Sequence, residues 1–570
     1  YRTAFILQGD SEKEQIVNTG NSWKVLKDES YQALKPDLIH TYYVAGPGEK
    51  IDFNKSPNDW QSAAYDDSNW ESATQLFHGL PKGVFYWSDG WMLVPRSIPQ
   101  MELKEERLKS VVNIDMDASQ TFSDRFFQTD EITTSKFPKK ETYFNVFSRK
   151  KVIILFDQGF LTNAYPVLKF SKGKNAKITL SYAEALYVDE GKEKDWKTQN
   201  QKGDRQSILN KRFVGVKDEI VSGGTDNQLF ITLMFRTYRY LQLTIETYDE
   251  GLIIEDLHGI FTGYPFEKKA KFDAKNPRLD KILEVGWRTA RLCAYETYVD
   301  CPYYEQLQYA GDTRIQALVS LFNSGDDRLV RQAINQLDNS RLAEGITLSR
   351  FPTTNSQQIP PFSLGWIGMI HDFRQYRDDT VFVKSKLPGI RQVINWFQKF
   401  QQSDGTLKRV SYWNFTDWAD YGKGWDRGVA PSGADGRSST LDLQLLWAYQ
   451  LTAALENDLG IKELAKSYEA EAQKLKTAIK NIYWDENRQL FAETSDKTTF
   501  SQHTNTLAIL TGMLSKQEAK ILADKLLTDK TLVQATIYFK YYVHQAITKA
   551  GLGDKYLELL TDGKTNWQTA

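Results

Sequence analysis

Three carboxylates lie near one another in the middle of this 570-residue chain, within the segment Tyr298–Gln316. Asp300, Glu305 and Asp312 share this segment with four tyrosines and a proline. Apolar residues at spacings of three and four predict a helix before the segment and another after it, so the carboxylates lie on a loop. An acidic, aromatic loop is typical of a site that cleaves sugars, because one carboxyl donates a proton while others bind hydroxyls and rings stack on the pyranose.

The three acids differ in whether a structural role, such as capping a helix or ending a turn, could explain them. Pro302 favours a turn or extended conformation at Cys301, so the chain leaves the first helix there. Asp312 is suited to capping the second helix and Asp300 to ending the turn, and the residues alone leave these alternatives open. Glu305 has no such alternative. Burial against tyrosines and nearby negative charge would keep it protonated near neutral pH, as a proton donor requires.

The composition argues against several classes of partner. Charged residues make up 25% of the chain and the net charge is −1, so neither nucleic acid nor an anionic membrane surface is favoured. The sequence has no apolar stretch that approaches the roughly 20 residues needed to cross a bilayer. Fifteen tryptophans and 13% aromatic residues mildly favour a carbohydrate partner, since sugar rings stack on aromatic faces.

Neither a metal site nor a cofactor is expected. The six histidines are scattered, and none forms a pair at i, i+4 or lies beside a cysteine pair. Cys293 and Cys301 are eight residues apart and are expected to be free thiols, which excludes a disulfide framework. The first residues lack the apolar region of an export signal. Because β-modules and sugar chemistry favour an exported protein, we expect that a signal has been removed.

Changes in hydrophobic period predict three domains. Residues 1–103 hold short strand-like fragments broken by glycine and proline, which predict a β-sandwich with Trp60 and Trp70 in its core. Residues 104–265 hold longer alternating strands, which predict a second, jelly-roll-like β-sandwich. In residues 266–570 the period becomes about 3.6, and ten helical segments are joined by short turns and long loops. This predicts an all-α (α/α)6 toroid of helical hairpins; a solenoid is the alternative, without a fixed repeat to support it.

The spacing of the acids resembles that of a known family. The pattern DCPxxExxxxxGD begins at Asp300 and contains Glu305 and Asp312, and it resembles the signature of the α-L-rhamnosidase family of glycoside hydrolases. The resemblance extends to the elements YAEAL, KGDR and FRTYRYLQL between Ser181 and Thr244. It implies β-sandwich modules before an (α/α)6 toroid, and hydrolysis with inversion.

The resemblance also implies roles for the loop residues. By this likeness Glu305 is the general acid, and Asp300 and Asp312 bind hydroxyls of rhamnose. Tyr309 stands where the family commonly has a tryptophan that forms a wall of the sugar site. Both rings can stack on a sugar, so this difference keeps the expected role.

Two further loops carry the resemblance. In IPPFSLGWIGMIHDF, Trp366 corresponds to an aromatic residue that lines the sugar pocket, although a place on the inner face of a core helix is an equal alternative. In SYWNFTDWADYGKGWDRG, the NFTDW piece makes Asp417 and Trp418 candidates for the pocket. Trp413 and Trp425 are weaker candidates. Tryptophans gathered on a polar loop favour sugar binding over a core role.

The resemblance leaves the second catalytic group unassigned. An inverting enzyme needs a base carboxylate roughly 6.5 to 9.5 Å from its acid. By resemblance this glutamate follows LGDKYLELLTDGK, near Asn566–Ala570, yet no glutamate follows Glu558. The simplest expectation is that the chain is part of a longer protein, since about two of twelve helices are also wanting. Otherwise another acid supplies the base, or the bond is not hydrolysed.

Two classes of function therefore compete. The first is an inverting glycoside hydrolase that removes terminal α-L-rhamnosyl or closely related residues from a glycoside or polysaccharide. The second is a carbohydrate-binding protein that keeps the pocket and lacks the base. A six-hairpin glycosidase of different sugar preference is a further alternative. Phosphorolysis is disfavoured, because the candidate loops have neither a glycine-rich segment nor a basic cluster for phosphate.

Overall fold

The computed structural model describes residues 4–35, 43–57, 59–81, 83, 90–115, 143–188, 201–273, 275–419 and 424–555. The chain forms two compact units. The first comprises Tyr1–Gly263 together with Tyr303–Glu305, and the second comprises Tyr264–Pro302 together with Gln306–Ala570. Strands dominate the first unit and helices the second, so the predicted order of a sheet-rich region followed by a helical region is confirmed.

The strands are short at first and lengthen beyond residue 150. They are β1 (Lys24–Val25), β2 (Tyr31–Leu34), β3 (Gly48–Asp52), β4 (Glu71–Ser72), β5 (Gly79–Pro81), β6 (Trp91–Leu93), β7 (Glu102–Glu106), β8 (Ser110–Asp115), β9 (Phe144–Val146), β10 (Lys151–Lys172), β11 (Lys177–Ala183), β12 (Val216–Val221), β13 (Gln228–Ile231), β14 (Arg236–Glu246), β15 (Leu252–Gly263), β16 (Trp484–Asp485) and β17 (Leu490–Phe491).

One large sheet organises the sheet-rich unit. Within the described residues it has eleven strands in the order β2-β3-β12-β11-β14-β10-β15-β7, with β8 and β13 also paired to β10 and β9 paired to β15. The pairing of β3 with β12 is parallel and sets Lys50 opposite Glu219, whereas the other pairs are antiparallel. Because β2 and β3 precede residue 103, strands from both predicted sandwich ranges pair in this sheet. The division of 1–103 from 104–265 stays a prediction.

Strand β10 changes partners along its 22 residues. Its first half pairs with β8 and β14, and its second half pairs with β13 and β15. The register with β14 shifts between Asp157 and Thr162, where Gly159 has a φ of 79° that favours glycine. The irregularity lets one strand belong to two sets of neighbours.

The core of this unit is built from the inward-facing residues of the paired strands. Along β12 buried and half-buried positions alternate, as expected for a strand with one face on the core. Burying each large apolar side chain contributes roughly 1.5 to 3 kcal/mol. The bulkiest buried members are Phe156, Phe170, Tyr182, Phe230, Tyr238 and Tyr240.

Trp60 does not belong to a core. Its side chain is 54% exposed, and the residues that follow it, Gln61 and Ser62, are exposed as well. Trp70 is half-buried and its ring lies 5.8 Å from that of Tyr65. The prediction of a core role for Trp60 is therefore wrong, because the small neighbouring residues leave its ring uncovered.

The helices follow one another from residue 277 onward. They are α1 (Pro277–Leu292), α2 (Ala310–Asn323), α3 (Arg328–Asn339), α4 (Pro360–Tyr376), α5 (Thr380–Lys384), α6 (Leu387–Gln398), α7 (Ser439–Leu459), α8 (Lys462–Tyr483), α9 (Gln502–Leu510), α10 (Lys516–Thr528) and α11 (Lys540–Lys549), with short 3₁₀ helices at Glu12–Val17 and Gly553–Lys555. The ten predicted helices are confirmed, and α5 is an additional short one.

The helices fall into two kinds. Helices α4, α7 and α9 are buried over much of their surface, and α9 is buried along residues 502–509. Helices α3, α6, α8 and α10 each bury one stripe and expose the rest. Helix α2 contacts α4, α4 contacts α7, α7 contacts α9 and α9 contacts α11. These five helices form an inner row, and the other helices precede or separate them in the chain order. No described helix has both the length and the apolar character to span a bilayer.

A buried ionic cluster joins three strands of the large sheet. Arg236 on β14 donates to the Asp218 carboxylate through Nε at 3.0 Å and Nη2 at 2.7 Å, and to Glu49 on β3 at 3.1 Å. Glu49 also accepts the N–H groups of Leu233 and Met234, and its own N–H donates to Asp218. The Arg236 side chain is 6% exposed, so its charge depends on these two carboxylates for compensation.

Replacement of Arg236 by alanine is expected to lower the free energy of unfolding by about 3 to 5 kcal/mol, because two buried carboxylates lose their cation. The matched control is Lys27→Ala, since the Lys27–Glu29 ion pair is 84% and 68% exposed and solvent screens its attraction. Urea unfolding followed by circular dichroism measures both. Equal stability of the two variants would contradict the role assigned to the cluster.

Candidate active site

The segment between α1 and α2 folds into a loop closed at its base. Helix α1 begins at Pro277, where Asn276 accepts the N–H of Arg278 as its cap. The N–H of Asp300 donates to the Leu307 carbonyl at 2.9 Å, and the Asp300 carboxylate accepts the Leu307 N–H at 3.0 Å. This double link fixes Asp300 at the point where the loop starts and ends.

Asp300 has a structural role as well as a candidate functional one. Its half-buried carboxylate closes the loop through Leu307, so the turn-ending alternative is supported. Burial raises the pKa of Asp300, while the Leu307 N–H acts in the opposite direction. Nearby, burial raises the pKa of the Cys293 thiol to about 12, so this cysteine stays protonated. Cys293 and Cys301 are both free thiols.

Glu305 lies at the tip of this loop and is half-buried. Tyr303, Tyr304 and Glu305 pack with the sheet-rich unit, unlike the rest of the loop. The following residue, Gln306, has a φ of 57°, a left-handed conformation that is uncommon for a residue with a side chain. Its N–H donates to the Cys301 carbonyl at 3.1 Å, which stabilises this turn.

Asp312 lies inside the first turn of α2 and does not cap the helix. The helix begins at Ala310 and its N-cap is Tyr309, three residues before Asp312. An acid in the first turn is stabilised by the helix dipole. The capping alternative for Asp312 is therefore wrong, because the chain enters the helix before this residue. Its half-buried carboxylate stays a candidate for substrate binding.

The glycine before Asp312 has a steric reason. A Cβ on Gly311 would stand 2.4 Å from the hydroxyl of Tyr538 and 2.6 Å from the ring of Phe362. Either contact is shorter than side chains tolerate, so only glycine lets α2 approach α4 and the segment before α11 this closely. The glycine of the acidic pattern thus supports packing at the start of α2.

Tyr309 is oriented by an arginine that the sequence gave no reason to single out. Arg350, on the loop between α3 and α4, donates to the Tyr309 hydroxyl, and its guanidinium lies 5.2 Å from the centre of the tyrosine ring. The other side of the ring meets Phe362 edge-on at 6.3 Å. The Arg350 side chain is 6% exposed. The length and polarity of its loop were the only signals that could have indicated it.

Asp417 is completely buried and its acceptor sites are occupied. One oxygen accepts His503 Nε2 at 2.7 Å and the N–H of Thr536 at 2.8 Å, and the other accepts the Thr536 hydroxyl. These contacts tie the loop after Val410 to α9 and to the segment before α11. Asp417 is placed to hold the loop in position, and no part of its side chain is exposed for contact with a sugar.

Trp418, the next residue, is placed very differently. Its side chain is 54% exposed. Its ring lies 5.1 Å from that of Phe415 and 6.0 Å from that of Trp413, and the Trp413 indole donates to the Arg427 carbonyl at 3.0 Å. The result is an aromatic cluster with an exposed tryptophan, a side chain suited to stacking on a sugar ring.

Trp366 and Trp425 are packed inside the helical unit. Trp366 is fully buried on α4, and its indole N–H donates to the Ile334 carbonyl at 3.1 Å. Trp425 is 2% exposed and its ring lies 4.4 Å from that of His503. For Trp366 these contacts favour the core alternative that the sequence left open.

A cavity of about 260 Å³ lies among the inner helices. Arg314 on α2 and Asp372 on α4 both line this cavity, and Arg314 Nε donates to the Asp372 carboxylate at 2.8 Å. Arg314 also donates to the Tyr542 hydroxyl and stacks on Trp447. The predicted site residues are absent from its described lining, although Gly311 and Thr416 adjoin two of them. The cavity combines aromatic walls with a charge-compensated pair. The described residues contain no group of three or more carboxylate, histidine or cysteine side chains placed to bind a metal.

Replacing Asp417 by alanine is expected to lower the free energy of unfolding by about 3 kcal/mol, because buried donors on His503 and Thr536 lose their acceptor. The control is Asp426→Ala on the same loop, which is exposed and hydrogen bonds through its backbone. Thermal and urea unfolding measure the difference. Unchanged stability of the Asp417 variant would contradict a positioning role.

Comparison with known proteins supplies the family. The family model described as the bacterial alpha-L-rhamnosidase 6 hairpin glycosidase domain matches residues 267–563. An alpha-L-rhamnosidase of Alteromonas sp. (strain LOR) is 22% identical over 532 residues, which is 90% of this chain and 48% of that protein. The chain thus spans about half the length of this curated relative.

Solved structures agree on the fold. A GH78 family rhamnosidase of Bacillus sp. GL1 superposes with a TM-score of 0.78 at 16% identity, over 97% of this chain and 74% of that one. The Streptomyces avermitilis alpha-L-rhamnosidase, solved with L-rhamnose, gives a TM-score of 0.64 at 15% identity, over 91% and 44% of the two chains. Since the family model covers just over half of the sequence, the chain belongs to the bacterial alpha-L-rhamnosidase family of six-hairpin glycosidases.

Proposed function

We propose that this chain acts in the hydrolysis of terminal α-L-rhamnosyl residues, or closely related ones, with inversion at the anomeric carbon. The observation that carries the proposal is the acidic loop between α1 and α2, in a chain of the rhamnosidase family. Glu305 is the general acid on this loop and donates its proton to the departing glycosidic oxygen. Water attacks the anomeric carbon from the opposite face as that bond breaks.

The neighbouring residues bind and orient the sugar. Asp300 and Asp312 accept hydrogen bonds from sugar hydroxyls, and the structure supports this by holding Asp300 in a fixed orientation through Leu307. Tyr309, oriented by Arg350, provides an aromatic wall. These roles come from the family pattern and are compatible with the half-buried environment of each side chain.

The aromatic loop provides a second binding element. Trp418 stacks on the sugar through its exposed ring, and Trp413 packs against Trp418 at 6.0 Å. Asp417 acts indirectly, because it holds the loop that carries Trp418. Trp366 packs in the core around α4 and is assigned no contact with the sugar. We therefore assign sugar contact to Trp418, in preference to its buried neighbour.

The general base is assigned to no described residue, and the position that the family resemblance gives it, near Asn566–Ala570, lies outside the described residues. A base would stand roughly 6.5 to 9.5 Å from Glu305. The second candidate function is a carbohydrate-binding protein that keeps the sugar pocket without turnover. A six-hairpin glycosidase for another sugar is distinguished by substrate screening.

The finer architecture and location belong to the same proposal. The inner row of helices supports closure into an (α/α)6 toroid over residues 266–570, preceded by sandwich modules over 1–103 and 104–265. The proposed substrate is a glycoside or polysaccharide, which is compatible with the nearly neutral net charge and with an exported protein. The proposed reaction requires no cofactor.

Glu305→Gln is expected to lower kcat on phenyl α-L-rhamnoside by at least about 10²-fold, since the amide cannot donate the proton that this poor leaving group needs. The control is Glu463→Gln, the same change at an exposed position of α8. Steady-state kinetics and product analysis measure turnover. Undiminished turnover of Glu305→Gln would exclude it as the acid, and rhamnose binding by calorimetry without any turnover of the unmodified protein would favour the binding alternative.

Trp418→Ala is expected to weaken rhamnose binding about 10-fold, because an aromatic contact of about 1 to 1.5 kcal/mol is lost. Trp60→Ala serves as the control, since Trp60 is equally exposed and lies in the sheet-rich unit. Isothermal titration calorimetry with L-rhamnose gives both dissociation constants. If the two variants bind alike, Trp418 does not contact the sugar.

A further inference from the structure

Two elements of the family-like pattern, YAEAL and KGDR, converge in the sheet-rich unit. Glu184 follows the end of β11, and Lys202 belongs to the segment after it. Lys202 Nζ donates to the Glu184 carboxylate at 2.7 Å and to the Tyr304 hydroxyl at 2.5 Å. Tyr304 directly precedes Glu305 in the chain. Side chains more than a hundred residues earlier therefore act on the neighbour of the proposed acid.

The lysine is held by more than its ion pair. Its ammonium lies 4.9 Å from the centre of the Tyr304 ring and 5.1 Å from that of Tyr187. The Tyr187 hydroxyl stands 3.1 Å from the Tyr304 hydroxyl. Lys202 therefore lies near two aromatic rings as well as near the carboxylate and the Tyr304 hydroxyl.

The backbone of the same residue is held from another direction. The N–H groups of Val44 and Ala45 both donate to the Tyr304 carbonyl, at 2.8 and 2.9 Å. The preceding residue, Tyr303, donates its hydroxyl to the Tyr182 carbonyl at 2.8 Å. Side chain and main chain of the two tyrosines are therefore both fixed on the sheet-rich unit.

Burial of this lysine is costly in itself. The Lys202 side chain is 6% exposed and that of Glu184 is 13% exposed. Removing two charges from water costs free energy that their attraction repays only in part, so a buried pair is weak evidence for a purely stabilising role. Burial also raises the pKa of Tyr304, so its hydroxyl remains protonated and can both accept from Lys202 and donate onward. The Lys202–Glu184 pair is better explained by its contact with Tyr304, whose side chain it orients.

We propose that Lys202, paired with Glu184, is a positioning residue for the proton donor: it fixes Tyr304 and thereby the backbone from which Glu305 projects. The proposal rests on the assignment of Glu305 as general acid. Proton transfer to a leaving oxygen depends on placement within a fraction of an ångström, and a displacement of about 1 Å costs about 10²-fold in rate. Lys202 and Tyr304 have no contact with the sugar in this proposal.

The leaving group provides a readout that a stabilising role would not move. A phenyl or alkyl glycoside departs only with a proton, whereas a nitrophenyl glycoside departs with little help. A misplaced acid therefore slows the poor substrate much more than the good one. A variant that is merely less folded loses turnover on both in the same proportion.

The test compares kcat and KM for 4-nitrophenyl and phenyl α-L-rhamnoside in Lys202→Met and Tyr304→Phe. We expect kcat on the phenyl glycoside to fall about 10²-fold with Lys202→Met, at least about 10-fold more than on the nitrophenyl glycoside, with KM unchanged. Tyr304→Phe keeps the ring and changes the ratio in the same direction. Lys27→Met, at an 84% exposed lysine of the same unit, is expected to leave the ratio unchanged.

The outcomes separate the positioning role from the function on which it rests. If the unmodified protein hydrolyses neither glycoside, the proposed function is wrong and the positioning role falls with it. If the unmodified protein is active and both variants keep its ratio of rates, the positioning role alone is wrong. An equal loss on both glycosides with a lowered Tm also overturns it. Should Lys202→Met fail to fold, Tyr304→Phe decides by the same ratio.

Discussion

The pair of hydrogen bonds between Asp300 and Leu307 is the constraint on which the candidate site depends. It closes a loop of six intervening residues and sets the start of α2 three residues later. The loop is therefore closed at its base, and hydrogen bonds to main-chain groups place Asp300 there.

The periodic parts of this fold could be predicted from the sequence. Apolar residues at spacings of three and four predict ten helices, and the change from strand to helix follows from the change in period. The pairing of β3 with β12 could not be predicted, because strand order depends on contacts between residues far apart in sequence. Trp60 shows the same limit, since exposure depends on which neighbours cover a ring.

The candidate site divides along the same line. The acidic pattern identifies Glu305, Asp300 and Asp312 by residue type and spacing, which are local properties. Asp417 and Trp418 stand side by side in one motif, yet one is fully buried and the other is 54% exposed. Asp417 is buried by its contacts with His503 and Thr536, which lie about 90 and 120 residues further along the chain. The motif itself contains no information about these distant partners. Arg350 was missed for the same reason.

The parallel pairing of β3 with β12 has a consequence for how the chain folds. Glu49 on β3 reaches Asp218 on β12 across 169 residues of sequence. Contacts of such separation form slowly, because the entropy of a long loop must be lost before the contact gains any free energy. During synthesis β3 leaves the ribosome well before β12 has been made. The edge of β3 that will pair with β12 therefore stays open for about 10 to 30 seconds at ordinary elongation rates. Charged side chains disfavour pairing between open strand edges, and β3 carries two of them, Glu49 and Lys50.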